Sequence, residues 1–510
     1  MRIELALLGG GVSYPSSTAS YLEARFQPKI ERFSRPTAIL IACVAAGLLA
    51  LSNPGLSLAT IGASVVAAAA VAARKKLLLI LLLAIWYLPG QTAPGGLLES
   101  YPHFRWIGLP MTLFVAGIYL VEAVVEKRKL RAAGIALPAI AFSLFALASA
   151  LLNGSGFLVL ASTLLLYLRY PLLFIAVANS NLRDSDISAL VKAFLFLSFV
   201  QIPEVLWRYF ALGARWDALT WTLGPWGTFP LGVYCVSSIC LLSGRAVHGR
   251  FNPVFLAGIP LLLVPALLGE IKSLLIAAPI CALVVLFYPW RHSKSLSRRA
   301  ITSSALIATA TAIFLAWSSF WGANDELTPW IDRLGKIALR DAQGGDYSGI
   351  NRIGWTIGAA SNLASKNAIL LGQGPGSSLA GNLIGVPKSP SSSALRAGKT
   401  QISALLYDTG LLGLSAYAFM LFVVLKRILK SARTLGKSAN KSLVYAMLGI
   451  WVFYALLGPQ YDLVWRADAA SFPFWVFGAG LQLLMRNRSS DSVSESEAEH
   501  GGTIESAVLA

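Results

Sequence analysis

Apolar stretches about as long as a bilayer is thick follow one another along most of this chain. Residues 271–288 and 300–320 are two of them, and each approaches the roughly twenty apolar residues that a helix needs to cross hydrocarbon. Main-chain polar groups in hydrocarbon must be satisfied within the element itself, so these stretches predict helices. We therefore expect an all-α integral membrane protein with about twelve to fourteen transmembrane helices.

The composition supports a membrane protein and argues against a nucleic-acid partner. Hydrophobic residues make up 56% of the chain and charged residues 13%, whereas about a quarter of a soluble domain is charged. The net charge of +18 falls mostly in short runs between the apolar stretches. Such runs are typical of the cytoplasmic flanks of transmembrane helices, so we predict no nucleic-acid partner.

The positions of Lys and Arg predict the orientation of the helices. Alternate loops are rich in them, as at 74–76, 127–131 and 426–441. The short loops between them carry only Arg105, Arg215 and Arg466. Because cytoplasmic loops carry the excess of positive charge, both termini are expected in the cytoplasm.

This alternation also divides the chain into five parts. No removable signal peptide is recognised at the start. The expected parts are a cytoplasmic leader at 1–36, a bundle of about eleven helices at 37–321, a large outer loop at 322–401, about three helices at 402–486 and a disordered cytoplasmic tail at 487–510.

The outer loop is where we expect the chemistry. From Tyr347 to Tyr407 it contains no Asp or Glu, and uncompensated positive charge suits an anionic partner such as a phosphate. Apolar residues at helical spacing predict short helices at 327–342 and 350–364 within it. The cations of the acid-free part are Arg352, Lys366, Lys388, Arg396 and Lys399.

A glycine-rich run, Gly-Gln-Gly-Pro-Gly-Ser-Ser at 372–378, follows the second of these helices. It lacks the Lys-Ser/Thr pair and the strand–loop–helix context of a phosphate-binding P-loop. We interpret it as a tight turn that exposes main-chain N–H groups.

Several charged side chains lie within the predicted spans or at their outer ends, where ionisable groups are costly. Arg169 lies near the middle of one span, and Glu204 and Arg208 are four residues apart on one helix face, so they can pair. A structural pairing is the alternative to a role in substrate binding for both arginines. We expect a shared polar cavity on the outer side, bordered by Arg208, Arg215, Glu270, Lys272 and Asp408.

The cysteines and histidines predict no metal site. Cys43, Cys235, Cys240 and Cys281 all fall in apolar stretches, and the four histidines are scattered. Metal sites need thiolates or imidazoles at short spacings. We therefore predict neither a metal nor any other cofactor.

The order of several short motifs resembles the O-antigen ligase and polymerase (Wzy-like) family of membrane glycosyltransferases. The motifs are Arg352 with Trp355, Leu-Gly-Gln-Gly at 371–374 and Leu-Tyr-Asp-Thr-Gly-Leu-Leu-Gly-Leu at 406–414. Gly-Glu-Ile-Lys at 269–272 is similar to the charged motif at a helix mouth in that family. The matching region covers about residues 260–425.

This resemblance implies a GT-C-like fold with one large periplasmic loop, in a multi-pass protein of the bacterial inner membrane. It implies an undecaprenyl-diphosphate-linked oligosaccharide as donor and transfer at the periplasmic face without a metal. Arg352 takes the position of the family's loop arginine, and Lys272 is nearest to its helix-mouth basic residue. Besides membrane lipids, a chain-length regulator or export proteins are possible partners.

One departure from the family pattern bears on the reaction. Ligases of the family carry a His shortly before the last motif, where this chain reads Gly-Lys-Thr-Gln at 398–401. The absence favours a polymerase that extends lipid-linked glycan. A ligase that moves polymer to a lipid or protein acceptor is one alternative, and a flippase for lipid-linked oligosaccharides is another.

Roles for individual residues follow from this hypothesis. Arg352 and Lys272 are expected to stabilise the diphosphate leaving group. Glu270 or Asp408 is the expected base for the acceptor hydroxyl. The predicted substrate contacts are Arg208, Arg215, Lys399, Arg169 and Trp355.

Overall fold

The computed structural model describes a set of separate ranges in this chain. They are residues 76–91, 100, 107–128, 130–131, 134–214, 219–220, 223, 228–248, 253–268, 272–287, 352–378, 400–434, 441–457 and 470–487. The chain divides into two compact units, Met1–Leu77 and Leu78–Ala510. Lys76 and Leu77 are the described residues of the first unit, and all others belong to the second. The predicted leader, the predicted helix at 327–342 and the predicted tail beyond 487 lie outside the described residues.

Within these ranges the chain forms twelve helices and no strand. They are α1 (Leu77–Gln91), α2 (Gly108–Val125), α3 (Ala136–Leu152), α4 (Phe157–Ala178), α5 (Asp184–Phe210), α6 (Thr228–His248), α7 (Pro253–Leu268), α8 (Lys272–Phe287), α9 (Arg352–Ser365), α10 (Gln401–Thr434), α11 (Lys441–Leu457) and α12 (470–487). The all-α prediction is confirmed for this part of the chain.

Five of the described helices contain a stretch long and apolar enough to cross a membrane. These stretches are Gly108–Val125, Phe157–Ala178, Asp184–Phe210, Phe229–Ala246 and Gln401–Arg433. Shorter apolar helices accompany them, among them Ala136–Leu152 and Lys441–Leu457. The structure therefore agrees with the coarse prediction of a helical membrane protein.

The surface of α3 shows why such helices suit a hydrocarbon environment. Leu137, Leu144 and Leu151 are exposed to 72%, 59% and 75%. Their spacing of seven residues places them on one face of the helix. A soluble monomer rarely exposes an apolar face of this extent, whereas lipid chains would cover it.

Helix α6 lies at the centre of one half of the bundle. It packs against α5, α7, α8 and α11, and small residues allow the closest approaches. A Cβ on Gly449 of α11 would stand 2.6 Å from Val285 Cγ2 and 2.7 Å from Cys240 Sγ. Contacts this close bring α11 against both α6 and α8.

A second group of helices packs around α4 and α10. Helix α4 contacts α2 and α3, and α10 contacts α3, α9 and α11. Aromatic side chains of α12 link the two groups, since Trp475 packs edge-on against Phe174 of α4 with ring centroids 6.1 Å apart. Phe477 makes a similar contact with Phe194 of α5 at 5.3 Å.

The ends of the helices meet in a regular way. Arg486, near the end of α12, donates hydrogen bonds to the carbonyl oxygens of Ala178 and Ser180 at the end of α4, at 3.2 and 2.5 Å. Just after α2, Arg128 donates to the Asn179 carbonyl oxygen at 2.8 Å. The carboxyl ends of α2, α4 and α12 thus lie together.

Candidate functional site

Two of the segments that carry the family resemblance, 371–374 and 406–414, lie directly against each other. Residues 369–373 run beside the part of α10 that contains the 406–414 motif. Gln373 donates its main-chain N–H to the carbonyl oxygen of Tyr407 at 2.8 Å. In the other direction, Leu411 and Leu412 donate their N–H groups to the carbonyl oxygens of Ile369 and Leu370, at 2.9 and 3.2 Å. Segments about thirty residues apart in sequence therefore form one unit.

This contact depends on an interruption of α10 at Gly410. Gly410 has a φ of 66° and a ψ of −168°, which are not helical values. In a continuous α-helix the N–H groups of Leu411 and Leu412 would bond to the carbonyls of Tyr407 and Asp408. A residue with positive φ is easiest to place when it is glycine, so the interruption falls where the sequence allows it.

All four main-chain groups released by the interruption find partners elsewhere in the protein. The two N–H groups donate to residues 369 and 370, and the Tyr407 carbonyl accepts from Gln373. The Asp408 carbonyl accepts a hydrogen bond from the Ser149 hydroxyl of α3 at 3.0 Å. Because buried main-chain groups without partners are costly, this exchange makes the interruption stable in an apolar setting.

The glycines of the 372–378 run allow the close approach. Gly372, Gly374 and Gly376 have φ values of 76°, 98° and 82°, which other residues rarely adopt. A Cβ on Gly374 would stand 2.5 Å from Ser155 Oγ, and one on Gly376 would stand 2.6 Å from Val159 Cγ1. The run therefore lies against the junction of α3 and α4 as well as against α10.

The predicted exposure of main-chain N–H groups in this run needs correction. Gln373 donates to Tyr407 and Ser377 donates to Gly374, at 2.8 and 3.2 Å. The Ser378 N–H donates to the carboxylate of Asp408 at 2.7 Å. These donors bind groups of the protein itself, so they do not form an anion-binding turn.

Asp408 is the acceptor at the middle of the site, and its side chain is fully buried. Its Oδ1 atom accepts from the Ser378 N–H at 2.7 Å and from the Ser377 hydroxyl at 3.2 Å. Its Oδ2 atom accepts from the Tyr167 hydroxyl of α4 at 3.2 Å. Burying a carboxylate is costly unless hydrogen bonds replace its water, and here three donors do so.

Helix α9 is fixed to α10 just beside this acceptor. Ala359 and Leu363 of α9 form a buried apolar cluster with Leu406 and Tyr407 of α10. The Tyr407 hydroxyl also donates to Asn362 Oδ1 at 3.4 Å. The apolar face of the predicted helix at 350–364 is thus covered by α10, and its prediction is confirmed by α9 at Arg352–Ser365.

A tight C-terminal turn joins α9 to the segment that follows. Asn367 has a φ of 52°, and its N–H donates to the Ala364 carbonyl at 3.1 Å while that of Ala368 donates to Leu363 at 2.8 Å. This pair of bonds is a Schellman motif, in which Asn is the usual substitute for glycine. Little freedom is left between α9 and residues 369–378.

The structure places the predicted site residues in several helices. Arg352 and Trp355 lie in the first turn of α9, and Lys272 is the first residue of α8. Their side chains lie outside the described part of the structure. Glu270, Arg215 and Lys399 are predicted site residues that also lie outside the described residues.

Arg169 and Arg208 occupy different surroundings. Arg169 is buried within α4, with its guanidinium carbon 5.2 Å from the centre of the Tyr170 ring. Arg208 is half-buried near the end of α5. The donors to the carboxylate of Asp408, in the described part of the chain, are Tyr167, Ser377 and Ser378.

Sequence reasoning missed the polar residues that surround Asp408. Ser377 and Ser378 were visible as the end of the glycine-rich run, but their partner was not. Ser149 and Tyr167 lie in apolar stretches and are too common there to signal a site. Asn153 was equally silent, although its Nδ2 donates to the Gly372 carbonyl at 3.2 Å.

Comparison with known protein families and curated proteins identifies no relative of this chain. No protein-family model matches the chain, and no curated protein is significantly similar to it. The family resemblance therefore rests on the order of the motifs in the sequence and on the contact between two of them in the structure.

Proposed function

We propose that this protein is a polymerase of exported polysaccharide in the bacterial inner membrane, with both termini in the cytoplasm. It transfers glycan from undecaprenyl diphosphate to a second lipid-linked repeat unit at the periplasmic face, in a GT-C-like bundle. The observation that supports this most is the contact between the 369–378 segment and the interrupted helix α10. Two motifs that resemble those of the Wzy-like family pack against each other in that contact, which gives a physical reason for both to occur in one chain.

The reaction requires stabilisation of a leaving diphosphate. The bond between the anomeric carbon and the diphosphate oxygen breaks, the acceptor oxygen forms a new bond to that carbon, and the acceptor proton passes to a base. Negative charge grows on the leaving oxygen, and guanidinium or ammonium groups held nearby stabilise it. In this proposal Arg352 and Lys272 do so, assisted by Arg208, Arg215 and Lys399.

The way in which α9 is attached to α10 supports the proposed role of Arg352 in stabilising the leaving diphosphate. Charged groups act best when rigid elements hold them, since little reorganisation is then needed during the reaction. Helix α9 packs on α10 through Ala359 and Leu363. It continues through a tight turn into the 369–378 segment, which is hydrogen-bonded to α10. Arg352 is thus the first residue of a firmly attached helix within an acid-free stretch.

A flippase is the alternative function, because an interrupted helix is also typical of transporters. Transporters often place interrupted helices at their binding sites, where the released main-chain groups contact the ligand. In this protein the four groups released at Gly410 bond to residues 149, 369, 370 and 373. The interruption therefore serves internal packing, which favours the enzyme over the transporter.

Complementation of a deletion strain tests the proposed function. We expect loss of high-mass polysaccharide in the strain, full recovery with the wild-type gene and little recovery with R352A or K272A. K192A is a matched control because Lys192 is an exposed cation on α5, remote in sequence from the site. Normal chain length with R352A and K272A would contradict the proposal, and full-length polymer that accumulates on its lipid carrier would identify a ligase.

A further inference from the structure

We infer that Asp408 is a positioning residue, whose carboxylate anchors the 369–378 segment and through it the orientation of Arg352 on α9. The inference rests on the proposed function, because it gives Asp408 a task in the same reaction. It differs from the role of general base that the sequence left open for this residue.

The surroundings of Asp408 leave no place for an acceptor hydroxyl. A general base must lie within hydrogen-bond reach of the proton that it takes. Both carboxylate oxygens of Asp408 are occupied by donors of the protein, at 2.7, 3.2 and 3.2 Å. The side chain has no exposed surface, so a sugar would have to displace the segment to reach it.

The donors of Asp408 show what it connects. Ser377 and Ser378 lie at one end of the docked segment, while Tyr167 belongs to α4. The main chain of Asp408 receives the Ser149 hydroxyl of α3. One residue thus joins α3, α4, α10 and the segment that leads back to α9.

The segment is attached to the rest of the protein in several places, of which three bear on this inference. The first is the apolar cluster of α9 with Leu406 and Tyr407. The second is the main-chain pairing with α10, in which Gln373 donates to Tyr407 while Ile369 and Leu370 accept from Leu411 and Leu412. The Asp408 carboxylate is the third, and it accepts hydrogen bonds from Ser377 and Ser378. Gly374 and Gly376 also lie close to α3, α4 and the turn between them, at Asn153, Ser155, Val159 and Thr163.

Arg352 lies at the end of α9 that is remote from the apolar cluster, which fits an indirect effect of Asp408 on it. It precedes Ala359, the first α9 residue of the apolar cluster, by about two helical turns, or about 10 Å along the axis. A small rotation of α9 about the apolar cluster therefore displaces Arg352 more than it displaces Ala359. Displacements of about 1 Å are enough to lower a rate strongly.

The test compares D408A with D408N in the purified full-length chain. In D408N the amide oxygen can still accept the Ser378 N–H, and the amide nitrogen can donate to Tyr167. D408A removes every side-chain partner. Y167F is a milder second variant, and S365A is a control because Ser365 is an exposed residue of α9.

Two quantities are measured for each variant. One is the hydrogen-exchange rate of the amides in 369–378, which needs no substrate. The other is the rate of glycan extension, in the wild-type and the R352A backgrounds. We expect D408A to speed exchange by about ten- to a hundredfold, since a hydrogen bond to a charged group is lost. D408N and Y167F should fall between D408A and wild type, and S365A should match wild type.

The rates of glycan extension distinguish a positioning role of Asp408 from a chemical role. An anchor predicts that D408N retains much of the extension rate that D408A loses. It also predicts that D408A causes little further loss when Arg352 is already replaced, because its effect passes through that residue. General destabilisation would instead add to the loss in both backgrounds.

The outcomes are distinct. Unchanged exchange in both D408A and Y167F would overturn the anchor. Equal loss of extension in D408N and D408A would make the carboxylate a chemical participant and overturn the positioning role. If the wild-type chain extends no glycan, the proposed function fails while the exchange rates still decide whether Asp408 anchors the segment.

Discussion

Gly372 and Gly410 lie so close together that a Cβ on Gly372 would stand 2.7 Å from the main-chain nitrogen of Gly410. Each glycine belongs to a different motif, and each has a positive φ. Glycine is required here for two separate reasons. The close approach leaves no space for a Cβ, and the positive φ disfavours residues other than glycine. Together they make glycine the only residue that fits at either position without a shift of the 369–378 segment against α10.

Replacement of Gly372 by Ala is expected to destabilise the protein strongly. The new Cβ would meet main-chain atoms of Tyr407, Asp408 and Gly410, which cannot move without breaking the pairing. We expect a loss of about 2–4 kcal/mol in the free energy of unfolding, from strain and overpacking together. Thermal unfolding of the purified protein measures it.

G358A is the matched control for that substitution. Gly358 lies within α9, and a Cβ there would meet nothing within 4 Å. Because Ala favours helix over Gly, G358A should be neutral or stabilise by up to about 1 kcal/mol. Equal melting temperatures for G372A and wild type would contradict the close contact.

Replacement of Gly449 by Ala tests the packing of α11. A Cβ would stand 2.6 Å from Val285 Cγ2 and 3.1 Å from the Cys281 carbonyl oxygen. Overpacking of this kind costs about 1–3 kcal/mol, so G449A should lower the melting temperature. G117A in α2 is the control, because that Cβ would have open space. A G449A protein as stable as G117A would show that α11 is not packed so closely.

Replacement of Arg486 by Ala should separate the ends of α4 and α12. Its guanidinium donates to two carbonyl groups at the C-terminus of α4, those of Ala178 and Ser180. Loss of these bonds and of the favourable charge at the helix end should cost about 1–3 kcal/mol. K192A removes an exposed cation instead and should leave the melting temperature within about a degree. If the two variants melt alike, the Arg486 contacts contribute nothing.

R352K separates charge from geometry at the proposed leaving-group site. Lysine keeps the positive charge but lacks the planar fork that binds two phosphate oxygens at once. We therefore expect R352K to extend glycan more slowly than wild type by about tenfold, and R352A by about a hundredfold or more. A length assay of lipid-linked products measures both. An R352K rate equal to that of R352A would mean that charge alone contributes nothing.

Part of the site was accessible from sequence because its signals are local. Apolar spacing in 350–364 predicted α9 to within about two residues of its observed ends. The repeated glycines of 372–376 predicted a turn, and all three have the positive φ that glycine permits. Local sequence is enough for such features, since they depend on a few consecutive residues.

The partners of Asp408 were not accessible for the opposite reason. Ser378 and Tyr167 lie 30 and 241 residues away from it in sequence, and periodicity carries no information about such pairs. A buried carboxylate and one that borders a cavity have the same local sequence. The prediction of a base and the inference of an anchor therefore start from the same residue, and only its neighbours distinguish them.

Arg169 shows the same limit. An arginine within an apolar span was expected either in a polar cavity or in a structural pairing. The structure buries it beside the Tyr170 ring, which a tyrosine at the next position in the sequence did not by itself predict. Contact between sequential neighbours in a helix is uncommon, because such residues point in different directions.

Incubation of the purified full-length chain with undecaprenyl-diphosphate-linked repeat units tests the central claim most directly. The account predicts a ladder of longer lipid-linked glycans with one undecaprenyl diphosphate released for each unit added, and a rate about a hundredfold lower in R352A. Repeat units that stay at their original length, or a ladder that R352A forms as fast as wild type, would contradict it.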